Sequence, residues 1–105
     1  MNTQIQQKIA DIKNKVLPVI EKYPIQRVGL FGSIVRGEDT KKSDVDILIK
    51  FSPGSELSLL DVSHIKLEIE DVLDKHVDLV EYHLVRPFLR EYIIPTEVVI
   101  YEKNS

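Results

Sequence analysis

The most informative stretch of the chain is Leu30–Lys50, which reads LFGSIVRGEDTKKSDVDILIK. It opens with an apolar run that leads into Gly32 and Ser33, and it closes with residues that alternate between apolar and polar. A period of two is typical of a β-strand, and a short apolar run is typical of a buried strand. The stretch therefore predicts two strands, joined by a short helical turn and an exposed, charged loop.

Two aspartates begin the second of these strands. Residues i and i+2 of a strand point to the same face, so Asp44 and Asp46 should project side by side while Val45 and Ile47 face the core. Two adjacent like charges are costly to hold together unless a cation lies between them, and carboxylate oxygens suit Mg²⁺ or Mn²⁺. The alternative for this pair alone is a solvated, charged strand end.

The turn after the first strand has the composition of a phosphate-binding site. Exposed backbone N–H groups at a helix start, together with the Ser33 hydroxyl, bind phosphate well, and Gly32 allows a ligand to approach the backbone closely. The alternative is an ordinary turn with Ser33 as a helix N-cap. Arg36 follows Ser33 by one helical turn on the same side, where it could contact phosphate or pair with Glu38, Asp39 or one of the aspartates.

The rest of the chain predicts helices and two further strands. Apolar residues spaced by three and four predict an amphipathic helix that ends before Pro24, and a second helix from about Ser58, with Asp61 completing a capping-box-like pair. The apolar stripe predicted for this second helix is Val62, Ile65, Ile69, Val72 and Leu73. The remaining predicted elements are a strand at Val77–Glu81, a short helix between Arg86 and Pro95, and a strand at Val98–Tyr101.

This order of elements predicts an α/β (α+β) fold, with a small mixed β-sheet and helices packed on it. We expect a single domain over residues 1–105. It divides into an N-terminal helix at 1–24, a core at 25–82 that holds the candidate site, and a C-terminal helix and strand at 83–105.

Composition excludes several classes of protein. The 105 residues are 43% hydrophobic and 30% charged, which is an ordinary balance for a globular domain. The chain has no cysteine, so disulfides, thiolate zinc sites and cysteine nucleophiles are excluded. A net charge of −3 argues against extended nucleic-acid binding, which needs a basic surface. No apolar run is long enough to span a membrane and the polar start does not resemble a signal peptide, so we expect a cytoplasmic protein.

The two halves of the informative stretch together resemble a known signature. Gly-Ser, then ten residues, then Asp-x-Asp resembles the nucleotidyltransferase superfamily related to DNA polymerase beta. The longer runs Phe31–Glu38 and Ser43–Leu48 are similar to its minimal nucleotidyltransferase branch. The family has a third carboxylate on a later strand, and Asp78 in the predicted buried strand is the residue that resembles it. The alternative for Asp78 is a water-exposed aspartate on an edge strand.

The resemblance implies a mechanism. Asp44, Asp46 and Asp78 would be the catalytic and metal-binding residues and would hold two Mg²⁺ ions, with Mn²⁺ a possible substitute. Gly32, Ser33 and Arg36 would bind the phosphates of ATP. An acceptor hydroxyl, its proton taken with the help of Asp78, would attack the α-phosphorus and release pyrophosphate.

The resemblance also implies a protein partner. Minimal nucleotidyltransferases are commonly paired, as antitoxins, with a small helical HEPN-type RNase toxin, which they silence by adding AMP to a tyrosine. The short chain leaves no room for the substrate domain of larger members, so we expect the partner to carry the acceptor. The alternatives are a non-catalytic module that masks its partner, or nucleotide transfer to RNA or a small molecule.

Overall fold

A mixed four-stranded sheet organises the computed structural model, which describes residues 2–103 apart from the side chains of Phe88 and Ile94. The strands are β1 (Ile25–Phe31), β2 (Val45–Phe51), β3 (Val77–Glu81) and β4 (Val98–Glu102). The helices are α1 (Thr3–Ile20), α2 (Ser33–Arg36), α3 (Leu59–Leu73) and α4 (Pro87–Ile93), with 3₁₀ turns at Tyr82–Leu84 and Ile94–Thr96. The spatial order is β3-β2-β1-β4, with β2 and β3 parallel and the other pairs antiparallel. The predicted fold class is confirmed.

Capping side chains close to the helix in sequence stabilise the start of both long helices. The side chain of Asn2 caps α1 by accepting a hydrogen bond from the Ile5 N–H at 2.9 Å. Ser58 and Asp61 form the reciprocal capping box predicted for α3, since each side chain accepts a hydrogen bond from the other residue's backbone N–H. Across residues 2–103, no helix combines the length and the apolarity needed to cross a membrane.

The main core lies between one face of the sheet and helices α1 and α3. It is aliphatic and includes Ile9, Ile12, Val16, Val19 and Ile20 of α1, Val28 and Leu30 of β1, Val45, Ile47 and Ile49 of β2, and Ile65, Ile69 and Leu73 of α3. Leu48 points to the opposite face and is nevertheless fully buried, because the 3₁₀ turn at Tyr82–Leu84 packs against β2. That second face therefore carries a cover over its middle, and polar residues lie at both ends of β2, with Asp46 at one and Lys50 at the other.

Candidate active site

The turn between β1 and α2 is shaped by Gly32. This residue has φ +79°, in the left-handed region that favours glycine, and it caps the N-terminus of α2. A Cβ atom at this position would overlap the carboxylate of Asp46. The absence of a side chain therefore lets the backbone of the turn lie directly against Asp46, with Ser33 as the first residue of the helix.

The predicted aspartates meet at the same end of the sheet. Asp46 is paired with Phe31 of β1 on one side and with Asp78 of β3 on the other. Residues that pair directly across neighbouring strands point to the same face, so Asp46 and Asp78 are adjacent on the face opposite α1 and α3. Asp44 lies directly before β2, two residues from Asp46. Asp46 is partly buried, whereas Asp44 and Asp78 are exposed.

The three carboxylates act on one another electrostatically. Burial raises the pKa of Asp46 above its usual range, and the charges of Asp78 and Asp44 raise it further. The charge of Arg36 opposes this change by lowering the same pKa. Asp46 is therefore an acid whose charged form gains from any additional cation placed beside it.

The chemistry of these residues fits a hard divalent cation. Asp46 and Asp78 present oxygen ligands in register, and the absence of a side chain at Gly32 lets the Asp46 carboxylate lie against the backbone of the turn. Among residues 2–103, no three His, Asp or Glu side chains already form a compact metal-binding group. Carboxylates repel one another when no cation lies between them, so they need not form a compact group here. The match to a divalent cation is therefore judged from the type of ligand atom and from the strand register.

Arg36 makes one of the contacts that the sequence left open. Its Nε lies 3.1 Å from Glu38 Oε2, and both side chains are more than half exposed. Its charge nevertheless reaches Asp46, as the pKa of that residue indicates. A role for Arg36 in phosphate binding stays a prediction.

Asp78 has features of both interpretations of its position, the acid near the other aspartates and the exposed residue of an edge strand. The expectation of a buried strand is wrong, because β3 is the edge strand of the sheet and has a neighbour on one side only. Asp78 is exposed to water, and it also lies next to Asp46. Its carboxylate is therefore accessible to a large molecule, as is the carboxylate of Asp44, whereas Asp46 is partly buried.

A buried acid on the face of the sheet that carries Asp46 was not predicted from the sequence. The side chain of Glu97 is 1% exposed and accepts a hydrogen bond from Arg27 Nη2 at 2.9 Å. It lies over Gly29, where a Cβ would overlap its carboxylate, and the Arg27 guanidinium lies 5.2 Å from the centre of the Tyr82 ring. Burial raises the pKa of Glu97, while Arg27 opposes the change. The available signal was the glycine inside the apolar run of β1, which indicates a close approach by another group.

Comparison with known proteins assigns this arrangement to a family. Residues 14–105 match the family described as polymerase beta, nucleotidyltransferase. A predicted protein adenylyltransferase of Methanocaldococcus jannaschii is 41% identical over 86 residues, which cover 82% of this chain and 90% of that protein.

Solved structures share the fold. A predicted minimal nucleotidyltransferase superposes with a TM-score of 0.73 at 33% identity, covering 88% of this chain and 92% of the other. A toxin–antitoxin structure with AMP-PNP gives a TM-score of 0.73 at 21% identity, covering 88% and 74%. A complex of a tri-AMPylated HEPN toxin with an MNT antitoxin, from Shewanella oneidensis, gives 0.67 at 18% identity, covering 90% and 73%. At 21% and 18% identity, these last two likenesses concern the fold.

Proposed function

The chain belongs to the polymerase beta nucleotidyltransferase family, and from this we propose that it transfers AMP from ATP to a hydroxyl group of a partner protein. The observation that carries the proposal is the pairing of Asp46 with Asp78, directly beside the glycine turn that precedes α2. Phosphoryl transfer depends mainly on positioning and charge neutralisation, and this arrangement supplies acidic ligands and backbone N–H donors at one place.

Each residue of the site has a proposed role. Gly32 and Ser33 bind the β- and γ-phosphates through backbone N–H groups and the hydroxyl, and Arg36 adds a positive charge nearby. Asp44 and Asp46 hold the divalent cations, which we assign as two Mg²⁺ ions with Mn²⁺ as a possible substitute. When bound, these ions neutralise the triphosphate and lower the pKa of the acceptor hydroxyl. Asp78 would be a third ligand and would help to take the proton from that hydroxyl as it attacks the α-phosphorus, with the bond to pyrophosphate breaking as the new bond forms.

The names of the similar proteins support ATP as the donor. The M. jannaschii relative is described as a protein adenylyltransferase, a class of enzyme that transfers AMP to protein. One toxin–antitoxin structure contains AMP-PNP, an analogue of ATP. ATP is a cytoplasmic metabolite, so we also place the protein in the cytoplasm.

The acceptor is proposed to be a HEPN-type toxin. The S. oneidensis structure pairs a tri-AMPylated HEPN toxin with an antitoxin of the same fold as this chain. By analogy, this protein would act as an antitoxin that adds AMP to a tyrosine of a small helical partner. A tyrosine hydroxyl has an ordinary pKa of about 10, so its attack on phosphorus requires the proton acceptor that Asp78 provides.

The test is transfer of label from α-³²P-ATP to a HEPN-type protein encoded in the same genome, with Mg²⁺ present. We expect labelled partner and released pyrophosphate with the wild-type chain and neither product with Asp46→Asn. The matched control is Asp71→Asn, which neutralises an exposed aspartate of α3. The proposal fails if the wild-type chain labels no protein, or if Asp46→Asn labels as well as wild type.

A charge-preserving variant separates catalysis from masking. Asp46→Glu keeps the acidic surface but moves the carboxylate by one methylene, which should abolish transfer. If Asp46→Glu still neutralises the toxin while transfer is lost, the chain acts by binding rather than by chemistry.

A further inference from the structure

The first two turns of α1 hold the loop that connects α2 to β2. Lys8 Nζ lies 3.1 Å and 3.3 Å from the two carboxylate oxygens of Asp39, whose side chain is 11% exposed. One turn earlier on the helix, Ile5 packs against Gly37, where a Cβ atom would come within 2.8 Å of Ile5 Cδ1. Two residues one turn apart on α1 thus contact two residues of the loop, Gly37 and Asp39.

The same loop is tied internally from one end to the other. The Glu38 N–H donates to the Ser33 carbonyl at 2.9 Å, which joins the loop to the start of α2. Further along, the Thr40 N–H donates to Ser43 Oγ at 2.8 Å, and the Ser43 N–H donates to the Thr40 carbonyl at 3.1 Å. Asp44 follows directly. A displacement at the middle of this loop would therefore move both the phosphate-binding turn and the first aspartate.

These contacts come from a part of the chain that lies outside the family match. The match begins at residue 14, whereas Ile5 and Lys8 precede it. Gly37 has φ +74°, so the loop already uses a backbone conformation that other residues adopt at a cost.

We propose that Lys8 and Ile5 are positioning residues, which hold the Gly37–Asp39 segment so that Ser33 and Asp44 keep the spacing needed for nucleotidyl transfer. The inference rests on the proposed function, because it assigns a purpose to the spacing. Lys8 acts through Asp39 and touches neither the nucleotide nor the acceptor. The side chain of Asp39 is largely shielded from solvent whereas that of Lys8 is 53% exposed, so the packing of Ile5 against Gly37 acts together with the ion pair in holding the segment.

The experiment measures loop opening and catalysis separately. Amide hydrogen exchange at Glu38 and Ser43 measures how often the loop opens, while kcat and the KM for ATP measure catalysis and its dependence on ATP concentration. For Lys8→Met, we expect exchange at both amides to accelerate on the order of two- to fivefold, the effect of losing one ion pair whose lysine is exposed to solvent. We expect kcat to fall by a similar factor, with exchange in α3 unchanged. Lys8→Arg should retain wild-type values, because it keeps the charge.

Two further variants complete the test. Lys13→Met removes an exposed lysine of the same helix and should leave the loop amides and kcat unchanged. The charge-swap double variant, Lys8→Asp with Asp39→Lys, restores the ion pair with its charges reversed. It should therefore recover most of the lost hydrogen-exchange protection and most of the lost kcat.

The outcomes distinguish this inference from the proposed function. The inference is overturned if Lys8→Met leaves loop exchange or kcat unchanged, or if it accelerates exchange equally throughout the chain. If the wild-type chain transfers no AMP, the proposed function fails, and the positioning role in that reaction fails with it. In that case, unchanged exchange would further show that the ion pair does not hold the loop at all.

Discussion

Replacing Asp46 with asparagine should make the protein more stable and inactive. Asn has nearly the shape of Asp but no charge, so the change tests electrostatics with little change in packing. Burial raises the pKa of Asp46, as do the neighbouring charges of Asp78 and Asp44, which means that the folded protein disfavours the charged form. At neutral pH the wild-type chain must hold that charge, and the variant need not.

The size of the gain follows from the strand register. Asp46 and Asp78 pair on neighbouring strands, which lie about 4.8 Å apart, so we take roughly 5 Å as the separation of the two charges. Two unit charges at that distance repel by about 3 kcal/mol at an effective dielectric constant of 20 and by about 0.8 kcal/mol in bulk water. Asp78 is exposed, so water screens much of the repulsion. We expect a gain of about 1 kcal/mol, or a rise in Tm of about 4–8 °C for a domain of this size.

The pH dependence has a definite sign. A group whose pKa is raised on folding contributes stability at low pH and loses that contribution as pH rises through its folded-state pKa. The advantage of Asp46→Asn should therefore be present at pH 7.5 and should vanish below about pH 4, where Asp46 is protonated in the wild-type chain.

Thermal and urea unfolding at pH 7.5 and pH 3.5, with no divalent cation added, provide the measurement. Asp71→Asn serves as the control for loss of an acidic side chain from the surface. One molar salt shortens the Debye length to about 3 Å and should shrink the gain. Added Mg²⁺ should stabilise the wild-type chain more than the variant, because binding to the folded state raises stability. The reasoning is refuted if Asp46→Asn has a lower Tm than wild type at pH 7.5.

Three further substitutions test the surrounding structure. Gly32→Ala forces a left-handed residue to carry a Cβ that overlaps Asp46, so we expect a loss of about 1–2 kcal/mol in unfolding free energy and at least about a tenfold loss of transfer. Gly29→Ala displaces the Glu97 carboxylate and should cost about 1–3 kcal/mol by urea unfolding, with partial recovery when Glu97→Ala is added. Ser58→Ala removes the α3 capping box and should cost about 1 kcal/mol while AMP transfer is unchanged.

Signals that act within a few residues were sufficient to predict most of the fold. The capping pair at Ser58 and Asp61 satisfies backbone groups that belong to the same helix end, so a short sequence window contains the whole interaction. The prediction that Val72 belongs to the apolar stripe of α3 was wrong for the opposite reason, because its burial depends on residues distant in the sequence. Ile65, Ile69 and Leu73 fill the narrow line of contact with the core, and Val72 on its flank is 38% exposed. The width of the buried stripe depends on what packs against the helix, which a short window does not contain.

The same distinction applies to the site. Gly32 and the two aspartates of the Asp-x-Asp segment lie within one short stretch, so their spacing was readable as a motif. Arg27 and Glu97 are 70 residues apart and meet only because β4 pairs with β1. Arginine and glutamate usually lie on the surface, so an ion pair between two such residues far apart in the chain leaves no periodic pattern in the sequence. A glycine at position 29 was the local sign that another group would approach the strand there.

The different environments of Asp46 and Asp78 indicate from which side the acceptor arrives. Asp46 lies on a central strand, flanked by Phe31 and Asp78 and covered at one side by the Gly32 turn, so a protein segment has little access to it. Asp78 is exposed on the edge strand. A general base must come within hydrogen-bond reach of the acceptor hydroxyl, and a tyrosine on a folded partner can meet that condition at Asp78 more readily than at Asp46. We therefore expect a partner that carries the acceptor to approach the site from the side of β3.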